Sequence, residues 1–86
     1  MRFQTLYVSR ENRYALVRDT GSGSPFLSIP VSNRLADYEE YYALTEEELS
    51  QMVTDVGAAI AFARKCGCRE MDDRLLFPPG SDRGVY

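Results

Sequence analysis

The residues best suited to chemistry lie in one stretch, Asp37-Tyr38-Glu39-Glu40-Tyr41-Tyr42-Ala43-Leu44-Thr45-Glu46-Glu47-Glu48. It holds six of the 13 acidic residues and three of the six tyrosines, with no Lys or Arg. Its formal charge is −6 against +3 for the rest of the chain, so the acidity behind the net −3 is local. Carboxylates steer a cationic partner, and tyrosine adds a rigid apolar ring with a hydroxyl. Asp37, Tyr38, Glu39, Glu40, Tyr41, Tyr42, Glu46 and Glu47 are therefore the candidate partner-binding residues. The same pattern also describes a solvated loop entering a helix N-terminus, most directly for the Glu46-Glu47-Glu48 triplet.

Other chemistry is sparse. The chain has no His, which removes the commonest general base and the commonest metal-binding imidazole. Cys66-Gly67-Cys68 supplies two sulfurs where structural zinc takes four N/S ligands. Arg64, Lys65 and Arg69 favour a thiolate there and a helix C-terminus opposes it, so the cysteines read as structural or incidental. Asp72-Asp73 lacks the spacing of a calcium loop. Gly21-Ser22-Gly23-Ser24 lacks the Lys of a phosphate cradle and opens onto a strand. No catalytic residue, metal or cofactor is expected, and the chain does not read as an enzyme. A pI near 4.8 argues against nucleic acid as the partner.

The elements that must position these residues follow from pattern. Eighty-six residues make one domain that buries roughly 60 to 65% of its unfolded surface. Phe3 to Val8 is rich in strand formers, Arg10-Glu11-Asn12 reads as a turn, and Arg13 to Arg18 alternates, which together suit an antiparallel hairpin. A flexible Gly21-Ser22-Gly23-Ser24-Pro25 connection leads to a third strand, Phe26 to Val31, where Pro30 marks a sheet edge or a strand end. The β-meander thus covers about 2–31 and the acidic, tyrosine-rich segment is a connector over 32–45. Thr45 and Glu48 form a capping box. One long helix is expected over 46–66, with Leu49, Met52, Val53, Val56, Ile60 and Ala63 as a single apolar stripe. Gly57 beside the stripe suits close approach of a strand, and Gly67 suits the left-handed residue after the helix. The tail, 67–86, holds Leu75-Leu76-Phe77 as a short extra strand or packed segment, and Ser81 to Tyr86 reads as loose apart from Val85 and Tyr86. The fold class is α+β: an antiparallel three- or four-stranded sheet packed by one long helix in the C-terminal half. No membrane span or apolar signal core is present, so a cytoplasmic location is expected, as a monomer or as a weak homodimer paired through Phe26 to Val31.

The stretch Ile29 to Tyr42, running into Thr45-Glu46-Glu47-Glu48-Leu49, resembles small bacterial immunity proteins that protect a cell from its own polymorphic or contact-dependent growth inhibition toxin. The resemblance covers about a quarter of the chain. Tyr41 and Tyr42 with Glu39 and Glu40 are similar in surface chemistry to the toxin-facing segment of colicin DNase immunity proteins, whose all-helical fold the expected strands depart from. The resemblance implies stoichiometric blockade: an acidic, tyrosine-bearing surface occupies the basic cleft of a nuclease-like toxin domain. The rival reading is a small structural or regulatory subunit whose acidic segment is merely solvated.

Overall fold

The computed structural model describes residues 2–78 and 83–86. Four strands, β1 (Phe3–Ser9), β2 (Tyr14–Asp19), β3 (Pro25–Ser32) and β4 (Asp37–Ala43), form an antiparallel meander in the order β1-β2-β3-β4. Two helices follow, α1 (Glu46–Thr54) and α2 (Val56–Gly67), and then a 3₁₀ turn at Asp72–Arg74. The α+β class and the antiparallel sheet match expectation.

Turn chemistry sets the register. Asp19 organises the β2–β3 hairpin: its Oδ1 accepts from the Gly21 amide, its Oδ2 from the Ser22 hydroxyl, and Gly23 takes φ 77°. The glycine-serine segment is thus a bonded turn between the end of β2 at Asp19 and the start of β3 at Pro25. β3 is an interior strand, and of the two positions open to Pro30 the structure shows the strand end. Its pairing with β2 stops at Ser28, so the missing N–H of Pro30 faces a side that β2 has already left. Two residues on, Ser32 fills that side by exchanging both backbone hydrogen bonds with Val85. Edge pairing through Phe26 to Val31 is therefore closed to a second copy. Among the described residues β1 is an unpaired outer edge, which a bulge between Thr5 and Tyr7 distorts.

The segment expected as a connector is instead β4, paired with β3 from Ser32↔Asp37 to Phe26↔Ala43. Charge hid the strand: glutamates are poor strand formers on average, but each pairs here beside a committed β3 residue.

The single long helix is two. Asp55 leaves helical geometry at φ −125°, ψ 96°, closing α1 with its amide and capping α2 by accepting from the Ala58 amide. An Asp three residues before a free amide is a start signal inside an unbroken apolar period, and the break resets the phase. The core comprises Leu49 and Met52 from α1, then Ala59, Phe62, Ala63 and Cys66 from α2, packed on Tyr14, Leu16, Leu27, Ile29, Val31 and Tyr42. Val53 and Val56 leave the stripe and are 58% and 44% exposed. Gly57 sits beside its own cap, Asp55, with no strand nearby. Gly67 ends α2 inside the helix. The left-handed residue is Arg69, and a Cβ at Gly67 would run into the Tyr86 ring. At α1 the expected capping box is present, with Thr45 and Glu48 bonded reciprocally.

Two substitutions separate the one-helix and two-helix patterns. Val56→Asp places an acid in the exposed first turn of α2 and is expected to change stability by no more than about 0.5 kcal/mol. Met52→Asp buries an unpaired charge and should destabilise strongly. Equal falls in thermal midpoint for the two variants would show that one continuous stripe forms the core.

Candidate functional site

Strand alternation divides the acidic segment. Residues two apart on β4 share a face. Tyr38, Glu40 and Tyr42 lie opposite Val31, Ile29 and Leu27 and face the helices, whereas Asp37, Glu39 and Tyr41 face the other side with Ser32, Pro30 and Ser28. A run that reads as one patch is thus two half-sets pointing apart.

The helix-facing half-set is interior. Tyr42 is fully buried and Glu40 is 8% exposed. Tyr42 Oη lies 2.7 Å from Glu40 Oε1 and 3.2 Å from the Cys66 carbonyl, and it accepts from Arg83 Nη2 at 3.3 Å. With a single proton to donate, the phenol gives it to the nearer carboxylate. Burial and the adjacent Glu40 charge both push its pKa up, so it remains a neutral donor. Arg83 completes the cluster: Nε and Nη2 donate to Glu40 at 2.8 and 3.2 Å, and Nη1 and Nη2 donate to Asp72 at 2.7 and 2.8 Å. The Arg83 hydrogen bonds hold the Asp72 carboxyl below the usual aspartate range. Tyr38 is partly exposed, and its Oη accepts from the Gly84 amide at 2.6 Å. Glu40 and Tyr42 are consequently unavailable to a partner, and Tyr38 offers only its outer edge.

The segment from Arg83 to Tyr86, of which only Val85 and Tyr86 read as ordered, is tied throughout. Beyond the Arg83 cluster and the Ser32–Val85 bridge, Tyr86 Oη shares its one proton between the Asn12 and Arg13 carbonyls, each 2.9 Å away, and the Arg13 guanidinium lies over its ring. Ser81 and Asp82, also read as loose, lie outside the described residues, as do Pro79 and Gly80. Leu75 bridges to Tyr42 and the Leu76 amide donates to the Tyr41 carbonyl, so these two residues form a short cover on the β4 edge, and Phe77 beyond them is exposed.

Glu46 and Glu47 stand at the other end of the strand. Six residue steps from Asp37 to Ala43 separate the two ends by about 20 Å. Glu46 is committed to a bidentate pair with Arg18 at 2.7 and 3.0 Å, which lowers its pKa. Glu47 is exposed and forms no ion pair with a described residue.

The sheet face away from the helices has two ends. At one, the Phe3 ring of β1 stacks on Tyr41 of β4 at 4.3 Å between centroids, arching over buried Val17, Phe26 and Ser28. Burial raises the Tyr41 pKa, with a smaller push from Glu39. At the other end the face is open and forms a groove of about 390 Å³, lined by Val8, Ala15, Pro30 and Ser32, with Arg10 and Arg13 on the β1–β2 side and Asp37 and Glu39 on β4. The Ser28 hydroxyl donates to Glu39 Oε1 at 3.1 Å. Asp37 forms no ion pair with a described residue. Just before Asp37, the β3–β4 turn presents Leu35 at 77% exposure, held by Asn33 Oδ1 accepting from the Leu35 and Ala36 amides.

Sequence reasoning missed Arg10, Arg13, Leu35 and Arg83. The first three carried one available signal, an Asn-bearing turn between strand patterns in each case. Arg83 carried none, because its partners are 11 and 43 residues away. The two cysteines do not share a site: Cys66 is buried, with burial pushing its thiol up to about 12, and Cys68 is exposed. No group of three or more His, Cys, Asp or Glu among the described residues is placed to hold a metal, and no helix among them is long and apolar enough to cross a membrane. Comparison with protein-family models, curated proteins and solved structures finds no match.

Two experiments test this geometry. Arg83→Met leaves Glu40 buried and unpaired and is expected to cost about 3–5 kcal/mol, part of which Glu40→Gln on the same chain restores. Asp72 and Glu48 both have pKa values below their ordinary 3.8 and 4.5. For Glu48, burial works against the charge, but the Thr45 amide and Arg74 outweigh it. A depressed folded pKa contributes stability that is complete above the ordinary value and is lost as pH falls through the folded one. Thermal midpoints should therefore drop steeply on the acid side, and less steeply in Arg83→Met, where Asp72 loses its partner. An acid slope unchanged by that substitution would contradict the Asp72 assignment. The second experiment counts thiols: a disulfide reagent should titrate Cys68 alone in the folded protein and both cysteines in denaturant. Rapid native reaction at both would show that Cys66 is not enclosed.

Proposed function

We propose that this chain is a stoichiometric protein inhibitor of the immunity type, which binds a cationic toxin domain, of nuclease character, through the open end of its sheet. One observation carries the reading. Asp37 and Glu39 stand on one strand and one face, about 7 Å apart, exposed at the rim of a groove and without an ion pair to any described residue. Forgoing an exposed ion pair costs little stability, and the charge left free speeds encounter with a cationic partner. Leu35 beside them supplies exposed apolar area on a hydrogen-bonded turn, the combination of rigid anchor and charged surround that concentrates binding energy. The contact set is therefore Asp37 and Glu39 with Leu35 and the outer edge of Tyr38. Glu47, about 20 Å along the strand, contributes at most to long-range attraction.

Binding at this surface needs no reaction. A nuclease-like toxin presents a cleft shaped for phosphates, and two carboxylates on a rigid strand place negative charge where phosphates would sit. Electrostatic attraction accelerates association, and burial of Leu35 slows release. In the rival reading, a structural or regulatory subunit, the same face is only solvated.

The test pairs this chain with the product of the gene immediately upstream of its own. A toxic C-terminal domain encoded there should be neutralised on co-expression. The Asp37→Lys/Glu39→Lys variant, folded by its thermal midpoint, should associate about tenfold more slowly or worse, with a flattened salt dependence. Undiminished neutralisation by that variant, or a biosynthetic gene with no toxic product at that position, would sink the assignment.

A further inference from the structure

The groove is not uniformly acidic, and that asymmetry bears on what it binds. Asp37 and Glu39 form its β4 wall, Arg10 and Arg13 its β1–β2 wall, and the neutral floor of Ala15, Pro30 and Ser32 keeps the two walls apart. Both walls are exposed, and no ion pair joins them. Arg13 is also pre-positioned: its backbone is held at φ 56° and its guanidinium lies 4.9 Å from the Tyr86 ring centroid. This contact holds the guanidinium beside the ring, and its N–H groups donate to no described residue.

We infer that the groove binds an extended peptide segment of the target protein that carries a basic and an acidic side chain on the same side, two residues apart. Alternate side chains of an extended chain are separated by about 7 Å and point the same way, so one segment lying across the strands sets a cation against Asp37 and Glu39 and a carboxylate against Arg10 and Arg13. The volume of about 390 Å³ accommodates two or three residues of such a segment and not a folded element. A purely cationic ligand satisfies one wall and is repelled by the other, and a purely anionic one meets the reverse. Charge reversal on either side therefore discriminates among partners, which a one-signed surface does not do. The assignment of the segment to a toxin rests on the inhibitor reading; the dipolar chemistry of the groove does not.

The probes are three capped tripeptides, acetyl-Lys-Ala-Glu-amide, acetyl-Lys-Ala-Lys-amide and acetyl-Glu-Ala-Glu-amide, titrated at millimolar concentration into the ¹⁵N-labelled chain. The Lys-Ala-Glu peptide should shift the Ala15, Ser32 and Glu39 amides saturably and more tightly than either control. Arg10→Glu, an exposed turn position away from the core, should weaken it about two- to fivefold and tighten Lys-Ala-Lys. No saturable shift, tightest binding by Lys-Ala-Lys, or an Arg10→Glu variant that binds Lys-Ala-Glu as well as the unchanged chain would each overturn the dipolar site. Tightest binding by Lys-Ala-Lys would leave the acidic inhibitor surface standing. Conversely, selective Lys-Ala-Glu binding alongside undiminished neutralisation by Asp37→Lys/Glu39→Lys would keep the groove and remove its link to a toxin.

Discussion

A carboxylate placed inside a small core constrains everything around it. Glu40 sits on the helix face of β4 between Ile29 and α2, where an unpaired charge costs more than this domain has to spare. Arg83 resolves it by reaching from the far end of the chain with a side chain only 10% exposed. The same guanidinium engages Asp72 and Tyr42, so the 3₁₀ turn, β4 and the C-terminal segment share one cation. Once Arg83 is anchored, Gly84 must lie against β3, where a Cβ would stand 3.0 Å from the Ser32 backbone, and Tyr86 must lie against Gly67. These two glycines are spaces left for the returning chain. A buried ion pair adds little net stability over an apolar substitute, but it leaves few alternative routes for the residues it ties.

Alternation on β4 gives one short acidic run two separate roles. Glu40 and Tyr42 are consumed by the interior, Tyr38 keeps an exposed edge, and Asp37 and Glu39 remain at the surface. Aromatic closure at one end of the open face, Phe3 over Tyr41, confines the accessible surface to the other end, where the charged walls stand. The structural and the functional carboxylates are thus adjacent in sequence, Glu39 beside Glu40, and opposite in environment. A one-residue slip of β4 would exchange them, exposing Tyr42 and burying Asp37 and Glu39, so the register of this strand decides both core and surface.

Much of the local structure is legible in residue order because it depends on near neighbours. The hairpin strands, the Thr45 capping box and the basic last turn of α2 each arise within a few residues. Asp55 was legible too, as a cap, but was masked by apolar residues that continue the helical period through it. The acidic segment was misread as a connector because local propensity opposes a strand there, and only pairing along seven residues of β3 overrides it.

The sequence by itself determined that acids and tyrosines would be concentrated between the third strand and a capped helix, and that the class would be α+β. Tertiary structure alone decided which of those acids is a surface group and which a buried one. The physical reason is that sidedness on a strand has no meaning until a layer covers one face, and the covering helices take their phase from the break at Asp55. Long-range partners complete the division: Arg83 claims Glu40 across 43 residues, Arg18 claims Glu46 across 28, and Asp37 is left unclaimed among the described residues.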